Sequence, residues 1–174
     1  LSATAMLPVL GKLGDVLGPR RVFVSVLVLF IVSSALCAMA GSLEWLVAAR
    51  VIQGMSSAGL QLMSQTIIAR VTSPRERPRY MAVIGAAFPV AIVIGPLLGG
   101  LITDYWGWPW VFWVNVPVGI VALALALIAV PALPGGAHPR FDIPGAVVLT
   151  LSLIALVLGV TWYGDESLRV TALI

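Results

Sequence analysis

Charge is what this chain of 174 residues has least of: 10% of its positions are Asp, Glu, Lys or Arg, while 60% are apolar. A soluble domain carries roughly a quarter charged residues, so a water-solvated surface cannot be assembled from this supply. Cysteine is nearly absent as well. Cys37 stands alone inside an apolar run, which excludes an internal disulfide framework and a cysteine-based metal site. The single histidine, His138, has no cysteine or carboxylate cluster around it, so no nucleophile and base pair suggests itself. Pro134-Gly135-Gly136 lacks the lysine and the strand context of a phosphate-cradling loop. The chain is therefore read as no enzyme, with no cofactor and no metal.

What the chain does have is long apolar runs. Residues 22–40, 45–69, 80–103, 110–130 and 143–163 are each long enough to cross about 30 Å of hydrocarbon as a helix. Only the second of these contains a charge, Arg50. They are apolar around most of their circumference rather than along one stripe, as expected where the solvent is lipid. The fold class is all-α, a polytopic transmembrane helical bundle. Leu1 is not a start methionine and the opening apolar stretch 1–10 is too short to span, so the chain is expected to be a fragment of a longer protein.

The connectors set the orientation. Lys12, Arg20 and Arg21, then Arg70, Arg75, Arg77 and Arg79, then Arg140 fall in alternate connectors, whereas the intervening ones carry Glu44 and Asp104 and no base. Cytoplasmic loops of membrane proteins concentrate Lys and Arg, which places the basic connectors in the cytoplasm and accounts for the net charge of +3 without nucleic acid. Trp45, Trp106, Trp108, Trp110, Trp113 and Trp162 fall at or near the opposite ends, where indole rings favour the headgroup level. The lipid bilayer is the partner this pattern demands.

Polar residues inside the second full span are ordered. At about 100° per residue, Gln53, Gly54, Ser57, Gln61, Ser64 and Gln65 all fall within roughly 60° of Arg50. An arginine, amides and serines facing lipid would be costly, so this face is expected to look into the bundle or a watered cavity. On the next span Gly85, Pro89, Pro96 and Gly99 share a face with Gly100 at its edge, which suits close helix approach and a bend.

These features resemble the major facilitator superfamily. Gly11-Lys12-Leu13-Gly14-Asp15-Val16-Leu17-Gly18-Pro19-Arg20-Arg21, read as a tight turn, is similar to the loop between helices two and three of that superfamily, with Pro19 in place of a usual base. Arg50-Val51-Ile52-Gln53-Gly54 resembles its helix-four motif, and Gly95-Pro96-Leu97-Leu98-Gly99-Gly100 the helix-five signature of exporters, with Ala82 and Ala91 where glycines are usual. Trp106-Gly107-Trp108-Pro109-Trp110-Val111-Phe112-Trp113-Val114-Asn115-Val116-Pro117-Val118-Gly119 looks like the outer turn before helix six in the fourteen-helix drug:proton antiporter group, with Pro109 where arginine is usual. Asn115 and Pro117 are read here as stabilising a bend. Residues 131–142 form too short a connection for a twelve-helix member, so 1–130 is assigned to the N-terminal six-helix domain from part of helix two, 131–142 to a cytoplasmic loop, and 143–174 to an additional helix seven with an outer loop.

The resemblance implies a secondary active transporter of a bacterial cytoplasmic membrane that exports drugs or other amphipathic organic compounds in exchange for protons, with the proton gradient as energy source. It implies that Arg50 serves proton coupling and that Gly11, Asp15, Gly18, Arg20 and Arg21 form a conformational latch, Asp15 meeting a partner outside this chain. All seven acids lie at or beyond helix ends, so the proton-carrying carboxyl group is expected on a first helix outside this sequence. Two alternatives stay open, an exporter of a narrower metabolite or self-made antibiotic and a non-transporting scaffold or sensor of the same fold. A periplasmic adaptor is left open as a partner.

Overall fold

In the computed structural model, the residues described are 2–132, Gly136 and scattered positions between 145 and 159. They are helical throughout apart from turns and connectors, with no strand among them. The helices are α1 Ser2–Leu17, α2 Pro19–Ala38, α3 Leu43–Val71, α4 Arg77–Trp106, α5 Trp110–Trp113 and α6 Asn115–Ala129. Helices are the natural answer to these runs, because every backbone N–H and C=O is satisfied within its own segment where no water competes.

Local chemistry sets the boundaries. Gly18 is the sole residue between α1 and α2 and has φ 90°, a conformation that side chains with a Cβ rarely adopt. Pro19 follows at the first helical position, where its missing N–H costs nothing. The stretch expected as a turn from Gly11 to Arg21 is thus two helices meeting at one glycine. At the other end of the hairpin, the Ser42 hydroxyl accepts the Trp45 N–H at 3.3 Å and caps α3, and the Trp45 indole donates to the Leu36 carbonyl at 3.2 Å. Helix α4 ends at Gly107, φ 88°.

Helices α2, α4 and the α5–α6 pair are long and apolar enough to cross a membrane. Helix α3 is longer than α2 but carries Glu44, Arg50 and Arg70 and a run of amides and hydroxyls. The expected span 110–130 keeps helical backbone angles through Val114, φ −60° and ψ −32°, and only its hydrogen-bonding pattern lapses there. Pro117 has no N–H to give the Trp113 carbonyl, and its ring crowds that same carbonyl.

Helix α2 is the centre of the packing, with α3 along one side, α6 along another, and α1 lying against both α2 and α3. The α2–α3 seam is built from small residues, Ser33, Ser34, Ala38, Ala49, Ser56 and Gly59, all buried, which lets two backbones approach closely. Apolar clusters close its two ends: Cys37, Ala38, Ala49 and Phe112 at one, and Val22, Val26 and Met63 at the other. Helix α4 stands apart. None of its residues is buried, and among the described helices it meets α3 and α5 only.

The loop 131–142 and the expected helix 143–163 fall mostly outside the described residues. Gly145, Val148, Leu151, Ser152, Ala155, Leu156 and Gly159, which are described, are helical.

Candidate functional site: a polar cleft beside Arg50

One turn of α3 carries the only charge of the predicted spans, and the fold opens a cleft beside it. The cleft has a volume of about 270 Å³ and is lined by Phe30, Arg50, Gln53, Gly54, Ser57 and Asn115. Helix α3 supplies Arg50, Gln53, Gly54 and Ser57 because their spacing stacks them on one face. Phe30 comes from α2, and Asn115 begins α6.

Gln53 organises the site. It is buried, its Nε2 donates to the Ser34 hydroxyl at 2.8 Å, and its Oε1 accepts from Arg50 Nη1 at 3.1 Å, with Cys37 Sγ a longer donor to the same oxygen at 3.9 Å. One amide therefore satisfies its own polar atoms, joins α3 to α2 and holds the arginine. The guanidinium carbon of Arg50 lies 4.3 Å from the centroid of the Phe112 ring. Arg50 itself is exposed on the open side of the cleft, and among the described residues it forms no ion pair.

The rest of the expected polar face divides. Gln61 is exposed, Gln65 is half-buried, and Ser64 turns its hydroxyl back to the Leu60 carbonyl at 2.6 Å. None of these three lines the cleft. Asn115, read from sequence as part of a bend, is the first residue of α6 and lines the cleft. An amide opening an otherwise apolar span was the available signal. Phe30 gave none, because a phenylalanine in an apolar run looks like any other packing residue, and Phe112 was marked only as part of the tryptophan-rich motif.

The second group of expected residues gathers at the basic end of the bundle. Arg70 Nη2 lies 3.1 Å from Asp15 Oδ1. The latch contact expected of Asp15 is with a part of the protein outside this chain; within the chain its carboxylate pairs with Arg70, 55 residues away. Arg20 Nη2 donates to the Leu127 carbonyl at 2.7 Å, and Arg77 donates to the Ala69 carbonyl. Both serve carbonyls near the end of a helix, which lack donors of their own and carry the negative end of the helix dipole. The Gly136 N–H reaches the Asp15 carbonyl at 2.9 Å. Gly11 sits on α1, where a Cβ would make ordinary contact with Leu62 at 3.6 Å, and Arg21 is exposed at the start of α2.

The third group, Gly95, Pro96, Gly99 and Gly100, lies on α4. A Cβ built on Gly95, Gly99 or Gly100 meets nothing within 4 Å. The close-packing face is present, and among the described residues nothing lies against it.

Three of these helices are long and apolar enough to cross a membrane, and a cleft lined mostly by polar side chains opens beside Arg50. Comparison with known proteins gives the family. The Major Facilitator Superfamily matches residues 1–164, and the chain belongs to that superfamily. It is 41% identical over 164 residues to an uncharacterized MFS-type transporter of Mycobacterium tuberculosis, covering 94% of this chain and 24% of the relative. It is 34% identical over 166 residues to the multidrug transporter protein MdtP of Bacillus subtilis, covering 95% and 31%. It is 34% identical over 177 residues to multidrug resistance protein 3 of the same organism, covering 99% and 35%. The chain thus spans between about a quarter and a third of the length of these relatives.

Proposed function

We propose that the full-length protein exports amphipathic organic compounds, drugs among them, across a bacterial cytoplasmic membrane in exchange for protons. The observation that carries this reading is the cleft itself: a positive charge, two amides and a hydroxyl converge with an aromatic ring on a cleft of about 270 Å³ lined by Arg50, Gln53, Gly54, Ser57, Asn115 and Phe30. Hydrogen-bonding groups set beside one aromatic ring suit a ligand that carries both polar and apolar parts. Relatives named as multidrug transporters favour drugs over a single metabolite.

In this reading Arg50 couples export to the proton. A guanidinium within the membrane stabilises the ionised form of a nearby carboxylate and so governs when that group takes up a proton. The carboxylate belongs to a part of the protein outside this chain. Gln61, Ser64 and Gln65 continue the polar face toward the basic end, Asp15 and its glycine-rich neighbours latch one conformation, and the Gly95 to Gly100 motif packs α4 against helices of the remaining protein. The basic end faces the cytoplasm.

The test uses full-length protein in proteoliposomes with an imposed proton gradient and a panel of cationic dyes, neutral drugs and amino acids. Arg50→Ala is expected to abolish gradient-driven export, and Arg50→Lys to keep part of it, because lysine supplies charge without the fixed fork of donors. Normal export by Arg50→Ala with an unchanged pH dependence overturns the coupling role. Flux of one metabolite alone supports a narrow exporter, and no flux of any compound supports a scaffold or sensor.

A further inference from the structure

Phe112 lies in the tryptophan-rich turn, a segment of which the functional reading uses Asn115 alone. It lies in the four-residue α5, and the residue is 5% exposed, clustered with Cys37, Ala38 and Ala49 at one end of the α2–α3 seam. Trp108 meets it edge to face, with ring centroids 6.2 Å apart and planes at 87°. That arrangement sets the positive edge of one ring toward the negative face of the other and fixes the plane of Phe112. The Arg50 guanidinium carbon then stands 4.3 Å from its centroid, while Gln53 accepts one guanidinium N–H at 3.1 Å.

We infer that Phe112 is a positioning residue for Arg50: its ring face and the Gln53 amide together hold the guanidinium at the cleft. This rests on the proposed transport function only for its consequence, since the pairing itself is a matter of geometry. The physical need is plain. Arginine has a long flexible stem, and within a membrane such side chains extend toward the nearest polar boundary unless something retains them. A neutral amide supplies one directional hydrogen bond and leaves the rest of the side chain free to pivot about it. A ring face adds attraction over the whole plane of the cation, strongest where water is scarce. Leucine has similar bulk but no quadrupole, so it fills the space without retaining the charge.

The placement also joins two parts of the molecule. Trp108 and Phe112 belong to the turn between α4 and α6, and Asn115, three residues past Phe112, lines the same cleft. A displacement of this turn would move the ring off the guanidinium and the amide out of the cleft together.

Two measurements on the purified full-length protein test the inference. With arginine side chains isotopically labelled, the Arg50 guanidinium resonances, assigned by their loss in Arg50→Lys, are expected upfield from ring current in the wild type and in Phe112→Tyr, and at ordinary positions in Phe112→Leu. In proteoliposomes, Phe112→Leu is expected to lower turnover on the order of tenfold with KM little changed, and Phe112→Tyr to restore it. Identical Arg50 resonances in wild type and Phe112→Leu overturn the inference, as does full transport by Phe112→Leu. A ring-current shift in a wild-type protein that moves no substrate upholds the pairing and overturns the transport reading instead.

Discussion

The Arg70 guanidinium lies 3.1 Å from the Asp15 carboxylate and closes the gap between the last turns of α1 and α3. Asp15 stands at the end of a helix where the dipole disfavours a negative charge, so the cation from α3 offsets a local electrostatic cost. The Asp15 side chain is 56% exposed and that of Arg70 33%, and an ion pair so open to water is worth at most about 1 kcal/mol.

Asp15→Asn and Arg70→Gln are accordingly expected to change the thermal unfolding of the full-length protein little. If the pair belongs to a latch, both are expected to reduce transport strongly with substrate affinity nearly unchanged, since a switch alters populations of states and not the pocket. Parallel dye-binding and flux assays decide this. Loss of binding with unaltered opening and closing would count against the latch.

Two glycines make contrasting predictions about packing. A Cβ on Gly119 would stand 2.5 Å from Ile31 Cγ1, a stiff β-branched side chain on α2, whereas a Cβ on Gly14 would meet the terminal Cε and Sδ of Met63 at 2.8 Å. Methionine can swing its end aside; isoleucine near its own backbone cannot. Gly119→Ala should therefore cost about 1–3 kcal/mol and Gly14→Ala clearly less, read as shifts in thermal unfolding in detergent. Ile31→Ala should relieve Gly119→Ala, and an additive double variant would show the clash is misassigned.

Gln53 predicts a loss of stability. Replacing it with Leu strands the buried Ser34 hydroxyl and removes the acceptor for Arg50, a cost of about 1–3 kcal/mol. Gln61→Leu, on an exposed side chain outside the cleft, should leave unfolding of the protein largely unaffected by comparison. Equal unfolding temperatures for the two variants would remove Gln53 from its organising position.

The orientation is open to direct labelling. After Cys37 is replaced, a cysteine at Ser73 should react with impermeant thiol reagents from the cytoplasm only, and one at Gly41 from outside only. Gly41 is the better outer site, because an added Cβ meets nothing within 4 Å and the neighbouring Ser42 cap is kept. Labelling from the opposite sides at both positions would invert the topology.

The helices, most of their ends and the polar face of α3 were legible in the sequence because they follow from local rules. Apolar runs report lipid, glycine and proline mark the junctions at Gly18, Gly107 and Pro117, and a 100° step gathers Arg50, Gln53, Gly54 and Ser57. The same rules set α2 at 22–40 and α3 at 45–69, within a few residues of Pro19–Ala38 and Leu43–Val71. What lay beyond them is every pairing between helices. A helical period says which residues share a face, but the rotation of that face relative to its neighbours depends on how the small residues of two helices interlock. Only the packed chain could turn Gln53 into the α2–α3 seam, bring Asn115 to the cleft, set Phe112 on Arg50 at a separation of 62 residues, and give Asp15 the cation of Arg70.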